Sequence, residues 1–282
     1  MIKIGLVLGV LLALPGAAAT AEASPPGPTG TIAVTGGSLE PKLALISLRS
    51  RTTRRIAVRD EIIRYDFSPD GGSIAVTGFK GIWVIRRDGT HARLILAHSD
   101  PTQPGVGAIA WSPDGGRLVC ARSDDTLVTV GVDGKGVRRI VGHADEPDWT
   151  PDGRIVFVRN PEQSSRAGIV STIGVDGRGL RRLVSRGRWV EPHVSPDGST
   201  VAVENGTGIF LAPRRGGTPR LFIRNGYGAA WSPDGRYLAF TRPIRCGEAV
   251  CTSRVFVVAR SGGKPRAYGP EIGDIGPLSW GR

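Results

Sequence analysis

Helical periodicity is missing from this 282-residue sequence. No sustained stretch repeats apolar residues every three to four positions, which excludes a fold built on long helices. Aromatic residues are also scarce at 6%, whereas glycine (41) and proline (21) are plentiful, a balance that favours many short strands joined by tight turns. All-β chains of this length often form one undivided body, so one globular domain is expected.

Motifs for catalysis and metal binding are missing as well. The chain has no Gly-x-Ser-x-Gly elbow, no His-Glu-x-x-His and no Gly-x-x-x-x-Gly-Lys-Ser/Thr phosphate loop. Only four histidines occur, His91, His98, His143 and His193, and none of the three cysteines stands in a Cys-x-x-Cys pair or beside a histidine pair. No metal site is therefore expected from ligand spacing. A carboxylate can still act as a general base, so these absences point away from an enzyme without closing that route.

What the chain does have begins with an export signal: Lys3, an apolar run over 4–14, and the small residues Ala17, Ala18 and Ala19. A membrane anchor is the competing reading, but the run is short for a bilayer and Pro15 and Gly16 end it. Residues 1–23 are read as a cleaved signal peptide, with cleavage after Ala19, Ala21 or Ala23, and 24–30 as a linker. The mature protein is expected to be secreted or periplasmic, at the cell envelope. In that oxidising setting Cys246 and Cys251, close together in a polar loop, are the natural disulfide pair. Cys120, inside the apolar run Leu118-Val119-Cys120, reads as a buried free thiol.

The formal charge is +12, carried mostly by arginine, with clusters at Arg49, Arg51, Arg54, Arg55 and Arg59 and at Arg181, Arg182, Arg186 and Arg188. Such a surface attracts an anionic envelope surface or an acidic polymer; equally, arginines decorate solvated outer strands. Export removes nucleic acid as a natural ligand.

An internal repeat decides the architecture. Phe67-Ser68-Pro69-Asp70-Gly71 recurs at Trp111, Trp149, Val194 and Trp231, at separations of 44, 38, 45 and 37 residues. In each copy a short strand enters the Pro-Asp-Gly turn and an apolar strand leaves it, such as 73–77 or 237–241. A third strand (82–86, 254–259) then leads through an Asp-Gly turn to a fourth (179–184). Proline presets the turn and Asp-Gly accepts positive φ. The recurring Asp70, Asp114, Asp152, Asp197 and Asp234 are thus turn residues and not catalytic ones. The ends complement one another: Leu278-Ser279-Trp280 is a first strand with no blade after it, and 31–35 is a second strand with no first strand before it. Pairing them closes a ring of six four-stranded blades over 31–282, an all-β propeller with no exposed edge. A monomer is expected.

The repeat resembles that of TolB-type propellers, of the WD40-like (PD40) kind, whose signature runs Trp-Ser-Pro-Asp-Gly and then Leu-Ala-Phe; Trp231 to Phe240 matches it almost letter for letter. The resemblance covers the chain from about residue 31 onward and implies a six-bladed binding propeller.

In such a disc the Pro-Asp-Gly and Asp-Gly turns share one face, and the longer loops 36–42, 98–107, 160–168, 242–253 and 269–277 share the other, where binding residues concentrate. Around the channel mouth stand the residues just before each first-strand aromatic: Asp66, Glu146, Asp148, Glu191 and His193. They suit a cation or a basic peptide, or are simply solvated by channel water. Arg188, Trp189 and Tyr227 are further candidate contacts, since aromatics anchor interfaces; alternatively Trp189 or Tyr227 simply packs between blades. Calcium in the channel is the one cofactor left open, and no other is expected. The expected function is non-catalytic binding of a cell-envelope protein or glycan. The alternative is a calcium-assisted propeller hydrolase, lactonase or lyase using Asp66, Asp148 and His193. A propeller half of a prolyl-oligopeptidase-like peptidase would need a separate hydrolase chain.

Overall fold

A computed structural model describes residues 27–35, 42–58, 60–98, 106–160, 168–184, 187–246, 251–273 and 276–282. The signal segment lies outside these residues, as do parts of all five long loops, including 36–41, 99–105 and 161–167. Every element described is a strand. The first blade supplies β1 (Thr31–Val34), β2 (Lys42–Ser47) and β3 (Thr53–Ala57). Blade 2 holds β4 (Arg64–Phe67), β5 (Ser73–Thr77), β6 (Gly81–Arg86) and β7 (Arg93–Ala97). Blade 3 holds β8 (Val106–Trp111), β9 (Arg117–Arg122), β10 (Thr126–Gly131) and β11 (Arg138–Gly142). Blade 4 follows with β12 (Ala144–Trp149), β13 (Arg154–Arg159), β14 (Ile169–Gly174) and β15 (Arg181–Arg182). Blade 5 has β16 (Val190–Val194), β17 (Thr200–Asn205), β18 (Gly208–Pro213) and β19 (Arg220–Arg224). Blade 6 has β20 (Tyr227–Trp231), β21 (Tyr237–Cys246), β22 (Cys251–Ala259) and β23 (Arg266–Ile272).

The last strand, β24 (Ser279–Gly281), returns to blade 1 and makes its order β24-β1-β2-β3. Ile32 opposes Trp280 and Ala33 opposes Ser279 in that antiparallel pair. The chain is thus an all-β, six-bladed propeller of four-stranded antiparallel blades, closed by pairing of its two ends as the repeat predicts. Trp280 also donates its indole N–H to the Thr29 carbonyl at 2.9 Å, which ties residue 29 to the closing blade.

Each turn is held by its own residues. In blade 2 the Gly71 amide donates to the Ser68 carbonyl at 2.8 Å, the Gly72 amide donates to Asp70 Oδ1 at 2.9 Å, and the Ser73 amide donates to Ser68 Oγ at 2.9 Å. Blades 3, 5 and 6 repeat this with Ser112 and Asp114, Ser195 and Asp197, and Ser232 and Asp234. These bonds hold Asp70, Asp114 and Asp197 below the usual carboxylate range, with the neighbouring serine hydroxyl as the main cause.

The apolar core is divided among the six seams between blades. In the seam of blades 3 and 4, for example, Val119 and Leu127 meet Trp149, Ile155 and Phe157. Fully burying one such large side chain stabilises by about 2–3 kcal/mol. The first-strand tryptophans also cross the seams, since Trp111, Trp149 and Trp231 donate their indole N–H to the carbonyls of Asp66, Ala110 and His193 in the preceding blade.

Two local expectations are corrected. The fourth strand expected over 179–184 contracts to Arg181–Arg182, because the amides of Leu183 and Val184 both converge on the Val170 carbonyl and end the ladder. Cys246 and Cys251 are disulfide-bonded as expected, yet they lie in strands and not in a loop: β21 and β22 continue their ladder until the two cysteines face each other. Cys120 is a buried free thiol whose ionisation burial pushes up to about 12.

Candidate functional site

The six innermost strands, β4, β8, β12, β16, β20 and β24, surround a central channel of about 340 Å³. Each runs from the long-loop face to the turn face, so equivalent residues form rings. At the turn face the lining includes Pro69, Pro113, Pro151, Pro196 and Pro233, with Arg282 where the sixth copy lacks the turn.

One ring comprises the residue just before each first-strand aromatic, or before Val194 in blade 5: Ser279, Asp66, Ala110, Asp148, His193 and Ala230. Its side chains staple blades. Asp66 accepts the Trp111 amide at 3.0 Å and the Ser279 hydroxyl at 2.8 Å; Asp148 accepts the Val194 amide at 2.7 Å and its neighbour Trp149's at 2.8 Å; Ser279 Oγ accepts the Phe67 amide at 3.0 Å. Burial lifts both carboxyls, Asp66 to about 6.

Two residues nearer the long-loop face a second ring reads Arg64, Ala108, Glu146, Glu191, Gly228 and Pro277. Here β12, β16 and β20 carry bulges, and Glu146, Glu191 and Gly228 have φ of 51°, 48° and 64°. Glycine tolerates that conformation, whereas a glutamate holds it at a cost of roughly 1–3 kcal/mol, the kind of strain that gathers at functional sites. Glu146 accepts the Glu191 amide at 2.6 Å. Arg64 reaches from blade 2 to blade 5, the opposite side of the ring, and pairs with Glu191 at 3.3 Å; His193 Nε2 lies 3.8 Å from the other Glu191 oxygen. An ion-pair layer thus crosses the channel on its long-loop side, and the cavity runs from it to the proline rim.

Protonation follows from these contacts. Burial, then the Glu191 charge, raises Glu146 to about 8. Burial opposes ionisation of Glu191 too, but His193 and Arg64 outweigh it and hold this carboxyl below its ordinary range. Burial opposes the imidazolium of His193, yet Glu191 and Asp148 raise it to about 9. At neutral pH Glu191 is therefore ionised between the Arg64 and His193 cations, while Glu146 beside it keeps its proton.

Of the sequence candidates, Asp66, Glu146, Asp148, Glu191 and His193 line the one channel. Arg188, Trp189 and Tyr227 are not among its lining residues. Trp189 is buried against the edge of the Phe210 ring, 5.1 Å between centroids; Arg188 is exposed; and Tyr227 is 36% exposed at the seam of blades 5 and 6. Sequence reading missed Arg64, although it holds the same repeat position as Glu146 and Glu191. It also missed Glu204 of β17, which accepts the Gly228 and Ala229 amides at 3.1 and 2.7 Å and is raised to about 7 by burial. No repeat position marks Glu204, so only the fold reveals it.

No family model matches the chain. An uncharacterised protein of Agrobacterium fabrum is 29% identical over 103 residues, a stretch amounting to 34% of each protein, so the match spans about a third of that relative. Among solved structures, a TolB-like protein from Agrobacterium tumefaciens superposes with a TM-score of 0.64 at 15% identity, over 89% of this chain and 98% of that one. The fold is a TolB-like β-propeller. An oligogalacturonate lyase from Vibrio parahaemolyticus shares the propeller fold too, with a TM-score of 0.56 at 12% identity over 86% of this chain and 79% of that one. A further oligogalacturonate lyase structure, in complex with manganese, has a TM-score of 0.56 at 13% identity, over 80% and 69%. The channel of the present chain does not fit such an ion. Its carboxylates are engaged by backbone amides or by Arg64 and His193, and among the described residues no three His, Cys, Asp or Glu side chains converge as ligands.

Proposed function

We propose that this TolB-like propeller is an exported, non-catalytic binding module of the cell envelope that takes a segment of a protein or glycan into its central channel from the turn face. The arrangement of the channel carries this reading. Its polar residues either staple neighbouring blades or pair with one another across the ring, which supports a rigid receptor more than a reactive centre. Glu146 and Glu191 hold a backbone conformation that costs energy, and Gly228 at the same repeat position shows that strain-free sequence is compatible with the fold. The cavity, with prolines at one end and the Arg64–Glu191 layer at the other, is at the lower end of the size range for small ligands, and suits the tip of a larger partner. Export rests on the N-terminal segment and is compatible with the Cys246–Cys251 bond.

Ala108 lines the channel without stapling anything, so Ala108→Trp fills it and leaves the scaffold bonds in place. Affinity capture from the native envelope should fall at least tenfold for this variant while thermal unfolding stays cooperative. Undiminished capture would contradict binding in the channel. Incubation with oligogalacturonate, with and without manganese, should leave the substrate intact; release of unsaturated uronate ends would instead establish a lyase. N-terminal sequencing of the protein recovered from its host should begin at Thr20, Glu22 or Ser24.

A further inference from the structure

Blade 6 departs from the others in the hairpin of its two middle strands. β21 and β22 have ten and nine residues, against six in each of β9, β10, β13, β14, β17 and β18. Four extra residues carry the hairpin roughly 13 Å further, at a rise of about 3.3 Å per residue. Its inner neighbour β20 pairs only as far as Thr241. From 242 to 246 the strand therefore has a partner on one side only among the described residues, and the Cys246–Cys251 bond ties its end. A bare edge invites strand addition, but Pro243 removes a donor and a bulge at Ile244 breaks the register. What this hairpin offers is its side chains.

Those side chains are arranged against local stability. Arg242 and Arg254 are direct cross-strand partners, and like charges placed opposite each other are destabilising. Among the described residues no carboxylate pairs with Arg242, Arg254, Arg245 or Arg224. Arg242 is held in place, its guanidinium 5.3 Å from the Phe240 ring centre and 5.5 Å from that of Phe256, and it donates to the Arg224 carbonyl at 3.2 Å. Arg254 donates to the Gly269 carbonyl at 3.1 Å. On the same hairpin Ile244 is 37% exposed, and Tyr227, which opposes Thr241 from β20, is 36% exposed. Fixed arginines next to an exposed aromatic and an exposed aliphatic side chain are the composition of a protein interface, whereas an anionic polymer would need the charges alone.

We propose that this face of the blade 6 hairpin docks an acidic protein segment, with Arg242 and Arg254 taking its carboxylates and Ile244 and Tyr227 covering its apolar side chains. The site stands apart from the channel and does not depend on channel binding.

The test uses a fluorescein-labelled random copolymer of glutamate and tyrosine, with binding to the purified protein read by anisotropy. Arg242→Gln combined with Arg254→Gln should weaken binding at least tenfold. The control pair Arg181→Gln and Arg182→Gln, which removes the same charge from an exposed outer strand, should change it less than twofold. Ile244→Ser should cost about threefold, a loss that the exposed variant Arg245→Gln should match without any packing change. Equal losses in the hairpin and control pairs would overturn the proposal in favour of diffuse electrostatics. Full affinity in Ile244→Ser, or binding to phosphatidylglycerol vesicles that surpasses the copolymer and depends on the same arginines, would overturn it in favour of an anionic polymer or a lipid surface.

Discussion

The two ends of the innermost strands behave differently. At the turn end the chain repeats itself: serine or threonine, proline, aspartate and glycine return five times, in four of them with the same hydrogen bonds, and the exposed Asp70, Asp114, Asp152 and Asp197 hold their protons weakly. A few residues earlier on the same strands nothing repeats: Arg64, Ala108, Glu146, Glu191, Gly228 and Pro277 occupy equivalent places. Near this end Glu146, Glu204, Asp66 and Asp148 hold their protons strongly because of burial, whereas Arg64 and His193 keep Glu191 ionised. Repetition builds the disc, and departures from repetition furnish the cavity that the disc encloses.

Several substitutions would break or sharpen that contrast. The largest effect is expected at a staple in the variable half. Asp148→Ala leaves the buried Val194 amide without its acceptor and should cost about 3 kcal/mol in denaturant unfolding, the upper range for an orphaned buried polar group. If the variant unfolds like the wild type, the ring bonds do not hold the blades together.

Next comes the ion pair across the channel, whose side chains are 26% and 19% exposed. Arg64→Met should destabilise by about 2 kcal/mol, below the value for a fully buried pair. Glu191→Gln added to it should cost little more, and a double-mutant cycle that finds no coupling would remove the layer from this account.

The pH dependence should separate the two ends by sign, except that Glu191 runs with the turn aspartates. Glu146, Glu204 and Asp66 have folded pKa values raised to about 8, 7 and 6, so the unfolded chain releases these protons first and stability falls as pH rises from about 4 to 8. His193, raised to about 9, adds stability that is complete below its unfolded value near 6.5 and lost as pH climbs through 9. The turn aspartates run the other way: their pKa values are lowered, so their contribution is present above about 4 and lost on acidification. Thermal midpoints should peak in mildly acidic buffer and decline towards pH 9, and Glu146→Gln should flatten the alkaline limb alone. The smallest effect belongs to one copy of the repeat: Asp114→Asn should cost about 1 kcal/mol, because four other turns remain.

Much of this was legible in the sequence because the repeat is local. Trp-Ser-Pro-Asp-Gly needs only its own residues to turn, so five copies announced five blades, and the unmatched ends at 31–35 and 278–280 announced the sixth. Asp66, Glu146, Asp148, Glu191 and His193 could be placed at the channel from their distance to the aromatic, and they fall on two successive rings. The channel's ion pair could not, because Arg64 and Glu191 are 127 positions apart and meet only once the disc closes. Trp189 stayed undecided in the sequence, because an aromatic beside an arginine looks alike whether it anchors a partner or fills a seam. The hairpin at Cys246 and Cys251 looked like a loop because Pro243 and the exposed arginines hide the strand pattern.

The central claim is that the non-repeating residues line a cavity that receives a ligand. A photo-crosslinking amino acid placed at Ala108 tests it directly, with a second at Val137, which is 48% exposed on the outside of the disc, for comparison. Irradiation in the intact envelope should give one discrete adduct from position 108 and none from 137. Adducts from 137 alone, or equal smears from both, would mean that the channel is only the hub of a scaffold that binds elsewhere.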